Sequence, residues 1–181
     1  MNKFRSLLLF CMASISIVGF THVYAGNRPG AISLTLGGGY DYFSSKRLIQ
    51  NTGTPLGILG YDFTNSWGFE ALYGAFSTKF NNSVGDSRQI RGSLLLLDGV
   101  YHFITCTRIE PFITAGTGIT TLNPNRNDAN NEANVNLGLG VELFASKSIA
   151  LRLDARDLYT IVGGKNDVLV DAGVTFLFDT K

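Results

Sequence analysis

In the stretch SIALRLDARDLY, residues 148–159, Arg152, Asp154 and Arg156 stand two residues apart. An extended chain puts residues at that spacing on one face. Glu70, Asp98, Glu142 and Asp171 fall on the polar faces of other segments with the same alternation. Arginine presents a planar fork of donors that matches carboxylates, and such charge-assisted pairs are strongest where water is excluded. The seven residues therefore predict a salt-bridged plug inside an enclosure. Five carboxylates against two arginines leave an acidic surplus for Arg91, Lys147, water or protons to absorb.

Other chemistries fit less well. Asp98 and Glu142 could imitate the carboxylate pair of a glycosidase, but a narrow enclosure has no room for a sugar. His102 is the one histidine after residue 25, and no serine nucleophile can be placed beside it, so it reads as a structural lining residue. The Gly37-Gly38-Gly39 run and Gly138-Leu139-Gly140 do not open helices, so they cradle no phosphate. A single histidine gives no metal-ligand spacing. No catalytic residue, no metal and no cofactor are expected.

The elements that must hold these residues are strands. Apolar and polar residues alternate over eight segments bounded by Gly, Asn, Asp, Ser or Pro: 31–43, 56–63, 67–80, 87–103, 110–122, 134–145, 149–162 and 167–178. Short connections at 64–66, 104–109 and 146–148 alternate with polar ones at 44–55, 81–86 and 123–133, while 163–166 is tight. That rhythm predicts an all-β, eight-stranded antiparallel up-and-down barrel with one smooth and one ragged rim.

Ahead of the strands, Lys3 and Arg5 precede an apolar run from Leu7 to Phe20, followed by Val23-Tyr24-Ala25. This is the pattern of a cleaved secretory signal over residues 1–25, with the barrel domain occupying 26–181. Of the 181 residues, 15 are basic and 14 acidic; loss of Lys3 and Arg5 leaves a net charge of −1, which excludes a nucleic-acid partner. Cys106 is then the sole cysteine, so no internal disulfide forms.

Alternation alone fits a soluble lipocalin-like barrel as well as a membrane barrel, which face opposite ways. Side-chain size separates them. Val135, Leu137, Leu139, Val141 and Leu143 share one face, and Asn136, Gly138, Gly140 and Glu142 the other. Glycine on a solvated strand face covers nothing, whereas it suits a crowded lumen. The leucines accordingly face lipid. Aromatic residues then sort by height into two girdles: Phe63, Trp67, Tyr101, Phe103, Phe112, Phe144, Phe176 and Phe178 at the smooth rim, and Tyr40, Tyr42, Phe43, Phe76, Phe80 and Tyr159 at the ragged one. Asp157 would face lipid by strict alternation, so a bulge or register switch is expected after Arg156. The upper lumen, lined by Gly37 and Gly39, is expected to hold water above the plug.

The segments WGFEALYG (67–74), LLDGVYHF (96–103), IEPFITAGTG (109–118), NLGLGVELF (136–144) and VDAGVTFLF (170–178) together resemble the N-terminal barrel domain of the OmpA/OprF group of Gram-negative outer-membrane proteins. The resemblance covers nearly all of residues 30–178. It implies a cell outer-membrane location with both termini periplasmic, and insertion by the barrel assembly machinery through Phe176 and Phe178. Full-length members continue into a peptidoglycan-binding domain; the sequence stops at Lys181, so cell-wall anchoring is not carried over.

The resulting expectation is a non-enzymatic structural barrel supporting envelope integrity. Its partners are outer-membrane lipid and lipopolysaccharide, which Arg88 and Arg91 could touch, and a host-surface ligand of the polar loops remains open. The alternatives are a narrow or gated channel and a lipid-modifying outer-membrane enzyme.

Overall fold

The computed structural model describes residues 26–80, 89–105, 107–124 and 130–179. The expected signal segment, the 81–86 loop, Arg88 and Cys106 lie outside them. Eight strands follow in order: β1 (Ala31–Tyr42), β2 (Thr52–Asp62), β3 (Trp67–Lys79), β4 (Gln89–His102), β5 (Ile109–Pro124), β6 (Asn130–Phe144), β7 (Ile149–Thr160) and β8 (Lys165–Asp179). Each pairs antiparallel with its neighbours, and β1 pairs with β8, so the sheet closes on itself. Closure removes every sheet edge, which lets β-structure cross a hydrocarbon layer with its backbone groups satisfied. Ala31 pairs with Asp179, so both ends of the ring lie at the rim of short turns. The other rim carries the loops.

Two strands begin four residues earlier than the alternation suggests. β2 starts at Thr52 rather than Leu56, running through Pro55. Pro55 pairs with Gly38 of β1, while pairing to β3 starts only at Leu56, so the missing N–H interrupts no ladder bond on that side. β6 starts at Asn130 because Asn130, Asn131 and Glu132 pair with Leu122, Thr121 and Thr120 of β5. The asparagine-rich segment is thus partly strand.

Burial alternates strictly along the wall. On β7, Leu151, Leu153 and Asp157 are exposed, while Arg152, Asp154 and Arg156 are buried. The barrel is therefore ionic inside and apolar outside, with Leu137 and Leu139 about two-thirds exposed (65% and 67%). No bulge follows Arg156: Asp157 keeps its place opposite Val168 and Leu137, and Asn166 Nδ2 donates to its Oδ2 at 3.0 Å. The expected register switch is corrected by that hydrogen bond. Val168 also pairs with Tyr42, so Asp157 sits at the level of the outer tyrosines, where a carboxylate is inexpensive.

At the closure, Gly37 of β1 faces Gly173 of β8. A methyl group on Gly37 would lie 2.2 Å from the Ala172 carbonyl oxygen and 2.7 Å from Gly173 Cα, so only glycine allows this approach.

Candidate functional site: a layered, closed lumen

β7 supplies both arginines of the lumen's main cluster. Arg152 Nη1 lies 3.0 Å from Glu70 Oε2, and its Nη2 donates to Glu70 Oε1 at 3.1 Å, a two-pronged pair with β3. Its Nη2 also reaches Asp154 at 3.0 Å, Nη1 stands 3.7 Å from Glu142, and the guanidinium lies 4.2 Å from the centroid of the Phe112 ring. Arg156 donates through Nη2 to Glu70 and through Nη1 to Asp98. Its Nε and Nη2 hold Asp154 Oδ2 at 3.0 and 2.6 Å, and Asn136 Nδ2 donates to Asp98 at 2.7 Å. Five strands thus meet at two guanidiniums. Asp171 is buried next to Asp154 across the β7–β8 ladder, but neither of its oxygens has a hydrogen-bond partner among the described residues. The structure therefore brings six of the seven residues into one network and leaves Asp171 beside it.

Arg91 does not join them. It is exposed on the outer face of β4 and does not offset the acidic surplus of the lumen. Toward the turn rim, His102 Nδ1 faces Glu110 at 3.2 Å and Nε2 faces Asp62 at 3.6 Å. Both ring nitrogens are turned to carboxylates, which leaves neither for activating a hydroxyl nucleophile. Among the described residues no cluster of three or more His, Cys, Asp or Glu side chains could hold a metal ion.

Toward the loop rim an apolar layer follows the main cluster. Leu56, Ile58, Leu72, Leu94, Leu96, Leu158 and Leu169 pack together there, while Thr54, Thr120 and Asn134 are buried on β2, β5 and β6. Above them is a second ionic cluster. Arg47, on a single 3-10 turn (Ser45–Arg47) between β1 and β2, folds back into the mouth. Its Nη1 lies 2.6 Å from Glu132, its Nη2 2.6 Å from Asp167, and its Nη2 donates to Thr160 at 2.9 Å. Lys165 Nζ adds a 2.5 Å contact to Glu132. Burial works against the charge on Arg47, but hydrogen bonding and attraction from Asp167 and Glu132 outweigh it and raise its pKa above the ordinary value. The alternation of β8 and β6 points Asp167 and Glu132 inward, yet nothing in a loop's sequence says which of its cations will turn into the mouth.

The girdles need corrections at four residues. Phe76, Phe112 and Phe144 are buried inside, at 7%, 1% and 2% exposure. Parity along the strand, as well as height, decides the side: Phe144 shares its face with Glu142, Phe112 with Glu110, and Phe76 with Glu70. Two of these rings face a glycine across the ladder, Phe76 opposite Gly92 and Phe112 opposite Gly140, and fill the space that each leaves. Phe43, half-buried, packs on the buried Phe76 ring at 5.3 Å between centroids rather than joining a belt, and Phe80 is half-buried. At the turn rim Phe63, Trp67, Phe103, Phe176 and Phe178 are exposed and Tyr101 is half-exposed; Trp67–Tyr101 and Tyr101–Phe103 stack edge-on at 4.8 and 5.0 Å. Outward Tyr61 and Phe69, missed in the sequence, extend this belt, with Phe69 5.3 Å from Phe63. At the loop rim Tyr40, Tyr42 and Tyr159 are exposed.

A closed eight-stranded ring with an ionic interior, an apolar outer wall and aromatic belts defines a transmembrane β-barrel. The chain belongs to the OprF membrane domain family, whose model matches residues 5–181. Membership indicates the outer membrane, and it excludes the soluble lipocalin-like alternative. The N-terminal barrel domain of OprF from Pseudomonas aeruginosa is similar at 18% identity over 84% of this chain and 100% of that one, with a TM-score of 0.62. Neisserial surface protein A is similar at 17% identity over 82% and 99%, with a TM-score of 0.68. OprG of P. aeruginosa gives 13% identity over 86% and 99%, with a TM-score of 0.66. No curated protein sequence matches the chain.

Proposed function

We propose that this chain is a sealed structural barrel of the outer membrane, with its turn rim and both termini in the periplasm and its loop rim at the cell surface. Its work is mechanical and adhesive: it stiffens the bilayer it spans, and its outer tyrosines and loops contact lipopolysaccharide and surface ligands. The observation that carries this reading is the lumen itself, where two ionic clusters are separated by the leucine layer of Leu56, Leu72, Leu94, Leu96, Leu158 and Leu169. A conducting path would have to part both charge clusters and wet an apolar septum, each at a cost of several kcal/mol. The similarity to a neisserial surface protein supports the surface role. The short turns support a periplasmic assignment for that rim, because outer-membrane barrels place short turns there and longer loops outside. Insertion would engage the barrel assembly machinery through β8, where Phe176 and Phe178 face outward.

Planar-bilayer recording of the purified barrel tests the seal: no steady conductance is expected, and a reproducible one would favour the channel reading. Whole-cell labelling tests the orientation. With Cys106 replaced by alanine, Lys46→Cys should react with a membrane-impermeant maleimide and Ser146→Cys should not; the reverse pattern overturns the assignment. A deletion strain should become more permeable to bulky antibiotics with unchanged lipid A acylation, and altered acylation would favour an enzyme.

A further inference from the structure

Residues 26–30 cross the turn-rim opening. Gly30, at φ 80°, donates from its N–H to the Asp62 carbonyl at 2.6 Å, and Ala31 N donates to the Arg28 carbonyl at 3.0 Å. Arg28 Nε donates to Asp179 Oδ1 and its Nη1 to the Lys147 carbonyl, both at 2.8 Å, so the segment is tied to β8 and to the β6–β7 turn. Asn27 N then donates to Glu110 Oε2 at 3.3 Å. Glu110 belongs to β5, which stands four strands from β1 in the ring of eight, directly across the mouth. The strap thus begins over Glu110: Gly26 is half-buried, and a methyl group built on it would lie 3.0 Å from Glu110 Oε2.

At this end of the lumen three carboxylates face two cationic side chains, His102 and Arg152, the latter 3.7 Å from Glu142. Asp62, Glu110 and Glu142 gather around His102, Glu110 and Glu142 face each other across the β5–β6 ladder, and Glu142 Oε2 has no hydrogen-bond partner among the described residues. Enclosed carboxylates without matching cations are costly.

We propose that removal of residues 1–25 creates the missing cation, and that the α-ammonium of Gly26 pairs with Glu110 to close the periplasmic mouth of the barrel. Water adds across the Ala25–Gly26 amide under a signal peptidase; Ala25 leaves as a carboxylate and the Gly26 nitrogen becomes a protonated amine. Export and sealing are thereby coupled, because the precursor carries a neutral peptide nitrogen where the mature chain carries a charge.

The test uses the exported, detergent-extracted barrel, with heat-modifiable gel migration reporting its folded state. N-terminal sequencing should begin at Gly26. An amine-reactive ester should label that α-amine at least about tenfold more slowly in the folded barrel than in urea, because the ion pair withholds the unprotonated amine that the reagent needs. Glu110→Gln should remove this protection while Lys46 and Lys165 label as before. A different mature N-terminus, or equal labelling of Gly26 in folded and unfolded protein, overturns the proposal. So does undiminished protection in folded Glu110→Gln. Where that variant fails to fold, the wild-type folded-to-unfolded ratio decides alone.

Discussion

Arg156 on β7 and Glu70 on β3 pair across the full width of the lumen, from strands four places apart in the ring. The backbone ladders join only neighbours, so a tie between opposite walls has to be made by side chains such as these. Arg156→Leu leaves Glu70, Asp98 and Asp154 facing one another with Arg152 as the remaining cation. Removing one partner of a buried pair costs about 3–5 kcal/mol. The midpoint for conversion of the folded to the unfolded gel band in urea should fall accordingly, and an unchanged midpoint would refute the cross-brace.

Gly92 and Phe76 should behave as one unit. A methyl group on Gly92 would lie 2.3 Å from two atoms of the Phe76 ring, so Gly92→Ala should destabilise by about 1–3 kcal/mol. Because the three atoms nearest to that methyl all belong to the Phe76 ring, the double variant with Phe76→Leu should recover most of the loss. Gly37→Ala should resist any such rescue, its close contacts being backbone. Urea titration of the four variants measures the coupling.

Trp67 is the only tryptophan in the chain and is exposed at the turn rim. In bilayers of lipids brominated at different depths, its fluorescence should be quenched most by bromines near the headgroups. Strongest quenching from mid-chain bromines would move the belt off the interface.

The wall should grade a charge by depth. Leu139→Arg, on the outward face of mid-β6, should cost about 2–4 kcal/mol, while Asp157→Arg at the level of the outer tyrosines should cost about 0–1 kcal/mol. Equal costs would show that one of them does not face lipid at the depth assigned.

The ring of strands and the sense of its faces were legible because alternation with period two is a local property. Arg152, Asp154 and Arg156 carry their direction in their spacing, and glycines opposite the leucines of β6 betray a crowded interior. Height along a strand is legible too, but only together with parity: Glu142, two residues away, puts Phe144 in the lumen. Pairing across the ladder was not legible, which is why the fit of Phe76 onto Gly92 went unseen. Arg47 was out of reach for a different reason. Its side chain is positioned by Glu132 and Asp167, 85 and 120 residues away, and a loop has no period to announce such partners.

The glycine seam between β1 and β8 has a consequence for assembly. β1 is synthesised first and β8 last, so their union is the step that turns a curled sheet into a ring. Side chains already interlocked on the other strands cannot easily be threaded past one another at that moment. Where Gly37 meets Gly173 the two main chains close without a side chain between them, and the hydroxyls of Thr35 and Thr175, 2.8 Å apart, latch the ring beside that gap.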